Sequence, residues 1–142
     1  IHEYPCPLII IDMGTATTFS VIGSDGSYLG GVISTGMAVS AEALFNQTSQ
    51  LPRISFDRPR RVIGKNTVDC MKSGIMYATA CSIDGMIERI EEELGASCTV
   101  IATGGLAGIV TPLCKRKIIL DDDLMLKGLA LIYNRNCKGD KI

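Results

Sequence analysis

The segment Leu8-Ile9-Ile10-Ile11-Asp12-Met13-Gly14-Thr15-Ala16-Thr17-Thr18 sets the architecture of this chain. Leu8 to Asp12 is a short β-branched run introduced by Pro7 and ended by a carboxylate, the pattern of a buried strand. Gly14 permits a tight reversal, so a hairpin is the natural continuation. Thr17 to Ile22 supplies the return strand, Ser24-Asp25-Gly26-Ser27 a turn, and Tyr28 to Ile33 a third antiparallel strand interrupted by Gly30-Gly31.

Beyond this meander the period changes. Val39, Ala43 and Leu44 predict a helix over Met37 to Phe45, and Gln47 to Arg61, with Pro52 and Pro59, reads as a surface loop. From Asn66 or Thr67, Val68, Met71, Ile75, Ala78, Met86, Ile90 and Leu94 predict a helix running to Gly95, about 40 Å long if Gly74 and Gly85 leave it unbroken. The run Glu91-Glu92-Glu93 reads as a solvated face. Cys98 to Ala102 is a fourth strand, followed by Thr103-Gly104-Gly105 and a short helix from Leu106 toward Val110; Lys117 to Leu120 is a fifth strand. Asp121-Asp122-Asp123 then leads into a helix through Leu124, Leu126, Leu129, Ile132 and Tyr133, its acidic start suited to the positive end of the helix dipole. The order β-β-β-α-α-β-α-β-α, without repeat or linker, predicts one α/β domain over residues 1–142: a mixed sheet of about five strands with helices on its faces.

Length and composition narrow the function. A chain of 142 residues buries roughly 68–70% of the surface its unfolded form exposes, enough for one core without staples. Charges of both signs are interspersed around a net −1, which gives nucleic acid or an anionic membrane no field to follow and favours a small-molecule partner. Apolar residues make up 46% but aromatics only 5%, with no Trp, so a stacking surface for single strands is not expected. The six cysteines (Cys6, Cys70, Cys81, Cys98, Cys114, Cys137) form no C-x-x-C pair and His2 is the lone histidine, which argues for reduced thiols rather than a zinc site and for the cytoplasm. The apolar run at Leu8 to Ile11 is far too short for a bilayer, which takes roughly 20 residues. Beginning at Ile1 just before a strand, the chain reads as part of a longer protein.

Chemistry concentrates at two turns. Gly14 lets backbone amides approach a polyanion, Thr15, Thr17 or Thr18 add hydroxyl donors, and Asp12 offers a carboxylate to a cation that offsets phosphate charge. A Thr-rich hairpin whose Asp12 bonds the turn amides accounts for the same residues. Gly104-Gly105, between a strand and a helix, offers bare backbone to a ring, ribose or phosphate, or is an ordinary connecting turn. Neither a Walker A loop nor G-x-G-x-x-G is present.

Together, the strand, the Asp-x-Gly-Thr-x-Thr-Thr turn and the later glycine pair resemble half of the ribonuclease H-like fold of actin, hexokinase and acetate kinase ATPases. Finer words extend the likeness: Ile11 to Phe19, Gly30-Gly31-Val32-Ile33, Leu51-Pro52-Arg53, Ile63-Gly64-Lys65-Asn66-Thr67, Ser73-Gly74 and Ala102 to Ala107 resemble type III pantothenate kinase, in that order and over about nine-tenths of the chain. The resemblance implies ATP-dependent phosphorylation of pantothenate, the opening step of coenzyme A synthesis, by a homodimer that uses potassium or ammonium, with magnesium accompanying ATP. It implies that Asp12 binds the monovalent cation, that Thr15 contacts ATP, and that Thr67 contacts pantothenate near the dimer interface; turn chemistry adds Gly14, Thr17, Thr18, Gly104 and Gly105 as nucleotide-binding candidates. Taken alone, Thr67 reads better as a plain N-cap, and its pantothenate role rests on the family likeness.

Two positions depart from the family pattern: Ser20 stands where Asp is usual and Thr35 where Pro is usual, the latter expected to loosen a loop. The family's first phosphate loop, Asp-x-Gly-Asn-Thr, and its Gly-x-Asp-Arg motif, whose Asp is the proposed base, do not occur in these residues. The chain is therefore expected to be the C-terminal half of a two-domain kinase, without a catalytic residue of its own and inactive alone. Two other readings remain: a non-catalytic regulatory protein of the same fold, and a kinase of the superfamily acting on a sugar or acid.

Overall fold

The computed structural model describes residues 2–137. Three strands, β1 (Leu8–Met13), β2 (Ala16–Ile22) and β3 (Tyr28–Thr35), form the expected antiparallel meander. Helices α1 (Met37–Gln47) and α2 (Thr67–Leu94) follow, then β4 (Thr99–Thr103), α3 (Ala107–Val110), β5 (Ile119–Leu120) and α4 (Leu124–Cys137). The sheet order is β3-β2-β1-β4-β5, with β4 parallel to β1 and β5 parallel to β4. This is the ribonuclease H-like arrangement: a meander that starts at the centre of the sheet and runs out to one edge, extended on the other side of β1 by crossover strands.

Alternation divides the sheet. Ile9, Ile11 and Met13 of β1, Phe19 and Val21 of β2, and Val100 and Ala102 of β4 point to one face, where they meet Met76, Ile83 and Ile87 of α2 and Val110 of α3. α2 runs unbroken through Gly74 and Gly85. Asn66 caps its start, its side-chain oxygen accepting from the Asp69 amide, and Gly95 closes it in the left-handed conformation. The stretch after α1 lacks regular structure but is not free of the core, because Ile54 and Phe56 pack on it and Arg53 lies over the Phe45 ring at 4.4 Å.

Two expectations change. The Glu91-Glu92-Glu93 run is solvated only at Glu92 and Glu93; Glu91 turns inward, accepting from the Cys98 amide (2.8 Å) and from Arg116 Nη2 (2.5 Å). α4 has the predicted apolar spacing but does not lie on the sheet: Leu126, Leu129 and Tyr133 are 64%, 57% and 67% exposed. The helix is held instead at its first turns. Asp121, only 7% exposed, accepts from Tyr4 Oη (2.7 Å), Lys127 Nζ (2.9 Å) and the Asp123 amide (3.2 Å), and Lys127 also reaches Glu3 (3.1 Å). The Lys127 ammonium first, then the Tyr4 hydroxyl, hold the Asp121 carboxyl below its ordinary range. No helix among the described residues is long and apolar enough to cross a membrane.

Candidate functional site

Parallel β1, β4 and β5 bring their C-terminal ends to one edge of the sheet, where open α/β sheets gather ligands. Asp12 sits there, opposite Thr18 across the hairpin and Thr103 across the parallel pair. Since Ile11 and Met13 face α2, these three side chains share the other face.

Gly104 is fitted against Asp12. Its φ of +96° lies in the region open to glycine, and a Cβ there would stand 2.6 Å from Asp12 Oδ1 and 2.7 Å from the Met13 nitrogen. The Leu106 amide donates to the Met13 carbonyl (3.3 Å), fastening the loop after β4 to the end of β1. Gly105 faces open space. Asp12, Thr103, Gly104 and Gly105 thus form one side of a cleft of about 500 Å³, and Asp122, Met125 and Leu126 contribute to the other. In the β1–β2 turn beside it Gly14 and Thr15 are exposed, and the Thr15 carbonyl is pinned by the Gly36 amide (3.2 Å).

Asp12 makes no ion pair among the described residues. A carboxylate with hydroxyl and carbonyl oxygens around it offers oxygen ligands to a hard cation. Among the described residues no three His, Cys, Asp or Glu groups gather to hold a metal.

Two predicted residues lie elsewhere. Thr17 is 4% exposed and points to the helical face, a correction that follows from the two-residue period of β2: if Thr18 stands with Asp12, Thr17 cannot. Thr67, the first residue of α2, shares a separate hollow of about 930 Å³ with Thr17, Phe19, Ser34 and Thr35. Sequence reading missed Asp122, Met125 and Leu126 as cleft residues, and the available signal was the position of Asp121-Asp122-Asp123 directly after a parallel strand.

The family model described as type III pantothenate kinase matches residues 1–89. The chain belongs to the type III pantothenate kinase family. Type III pantothenate kinases of Syntrophus aciditrophicus and Rhodospirillum rubrum are 46% and 50% identical to it, each alignment covering 95% of this chain and 53% of the relative. The chain thus spans about half the length of the curated relatives it matches. A crystal structure of a conserved Baf family protein from Campylobacter jejuni, described as a transcriptional activator, has the same fold, with a TM-score of 0.61 at 22% identity over 92% of this chain and 58% of that one.

Within the family pattern, the two departures find their places. Ser20 lies in β2 opposite Ile10, on the Asp12 face. Thr35 stands at the end of the edge strand β3, paired with Ala16, rather than in a loop.

Proposed function

We propose that the protein containing this chain transfers a phosphoryl group from ATP to pantothenate, giving 4'-phosphopantothenate for coenzyme A synthesis in the cytoplasm, and that this chain is its C-terminal domain. The observation that carries the proposal is the convergence of Asp12, the bare backbone of Gly104 and Gly105, and the Gly14–Thr15 turn on one sheet edge in a chain of this family. Asp12 holds the monovalent cation. Thr15 and Thr18 hydroxyls and the Gly14 backbone meet the phosphates, and the glycine pair receives the nucleoside side. When bound, the potassium or ammonium ion, with the magnesium that accompanies ATP, supplies positive charge against the phosphates. The chain's own work is positioning, which supplies much of catalysis in phosphoryl transfer. The proton acceptor and the first phosphate loop belong to the other half, whose presence would also cover the exposed apolar side of α4.

Thr67 and Asp12 line different hollows, Thr67 on the helical face of the sheet and Asp12 on the other. A pantothenate contact by Thr67 at the partner's site accounts for this separation, and on this reading the protein is a homodimer. The apolar stripe of α2 is taken up by its own sheet, leaving the hollow around Thr67 as the surface for that contact.

An ADP-release assay on the whole protein tests this with pantothenate against a panel of sugars and acids. Pantothenate alone should turn over, Asp12→Asn should lower kcat at least tenfold and abolish activation by potassium, and residues 1–142 alone should be inactive. Nucleotide binding without turnover of any substrate would replace this reading with the non-catalytic one.

A further inference from the structure

A second concave site lies at the start of α2, outside the Asp12 cleft. The hollow, about 550 Å³, is lined by Arg58, Arg60, Arg61, Lys65 and Lys72 with only Asp57 and Asp69 to oppose them, a local excess of three positive charges in a chain whose net charge is −1. Lys72 pairs with Asp57, and Asp69 is occupied by the Asn66 side chain; among the described residues the other four cations have no ion-pair partner. The helix end is not the attraction, since Asn66 already caps it.

The hollow is built rather than draped. The Ser73 hydroxyl, buried, donates to the Val62 carbonyl, and the Lys72–Asp57 pair ties the loop to α2 a second time. Gly64 provides a third tie: a Cβ there would stand 2.4 Å from the Cys70 nitrogen, so only bare backbone lies this close to the helix. Three attachments hold like charges together at a cost in repulsion that a bound anion removes. Three guanidinium groups favour forked hydrogen bonding to phosphate oxygens, and the volume suits a small molecule.

We infer that this hollow binds a small polyanion carrying adjacent phosphate groups, at a site separate from the Asp12 cleft. Titration calorimetry of the whole protein with inorganic tripolyphosphate in low salt tests it. Arg60→Gln/Arg61→Gln, and independently Arg58→Gln/Lys65→Gln, should weaken binding at least tenfold with unchanged melting temperature, whereas Asp12→Asn leaves this binding in place. Orthophosphate should bind at least tenfold more weakly than tripolyphosphate. Equal affinity in the hollow variants and the parent, an equal loss in Arg89→Gln/Lys115→Gln, which removes two charges elsewhere, or orthophosphate binding as tight as tripolyphosphate would overturn the inference.

Discussion

At Gly104 the candidate site depends on a missing Cβ. The positive φ and the 2.6 Å approach to Asp12 Oδ1 act together, so Gly104→Ala must both strain the backbone and push the carboxylate aside. We expect a loss of about 1–3 kcal/mol in stability, read by urea unfolding, together with lost nucleotide affinity. Gly105→Ala places its methyl in open space and should leave stability within about 0.5 kcal/mol. Equal stability losses at the two positions would show that Gly104 has no special place against Asp12. The Asp12–Gly pair was legible in the sequence as two separate turns; their contact was not, because 91 residues and a parallel pairing lie between them.

At the scale of elements, α2 and α4 contrast. α2 carries its own signals: the Asn66 cap, the left-handed Gly95 and an apolar stripe wide enough to bury Met76, Ile83 and Ile87 fully. Gly85 in its middle has no structural need to be glycine, since a Cβ would meet only Arg89 Nη1 at 3.5 Å. Gly85→Ala should therefore raise stability by about 0.5–1 kcal/mol, a rise of a few degrees in melting temperature. α4 is instead tethered by Asp121, which the sequence presented merely as one of three acidic residues before a helix. The Asp121 carboxyl is held below its ordinary 3.8, so the tether contributes at and above that pH and is lost as pH falls further, through the lowered value. Tyr4, raised above 10.0 chiefly by the same hydrogen bond, contributes below that pH and is lost as pH rises through its higher value. Proteolysis of the segment before β1 should therefore accelerate below pH 3.8 and well above pH 10. Asp121→Asn should remove the acid limb; an unaltered acid limb in that variant would assign the transition to another group.

For the molecule as a whole, the exposed side of α4 is the feature that one domain does not explain. Leu126, which lines the Asp12 cleft, and Leu129, one turn further along α4, remain in water here, whereas relatives of the family are about twice this length. Leu126→Asp/Leu129→Asp should leave melting of residues 1–142 nearly unchanged, because neither side chain is buried within them. In the whole protein the same change should weaken ATP binding at least tenfold, measured by titration. Unchanged affinity would remove α4 from the surface between the halves.

Local chemistry along the chain was enough for the elements, their order and the family: strand periods, the Asn66 cap, glycine turns and the spacing of short words are all encoded within a few residues. Folding in three dimensions settled what depends on distant backbone. It turned Thr17 away from Asp12 through the strand period, pressed Gly104 onto Asp12 through the β1–β4 pairing, buried Asp121 between Tyr4 and Lys127, and gathered loop cations at the start of α2. The physical reason is that pairing register and side-chain neighbours across long separations are chosen by the packing of the core, which no short window of residues contains.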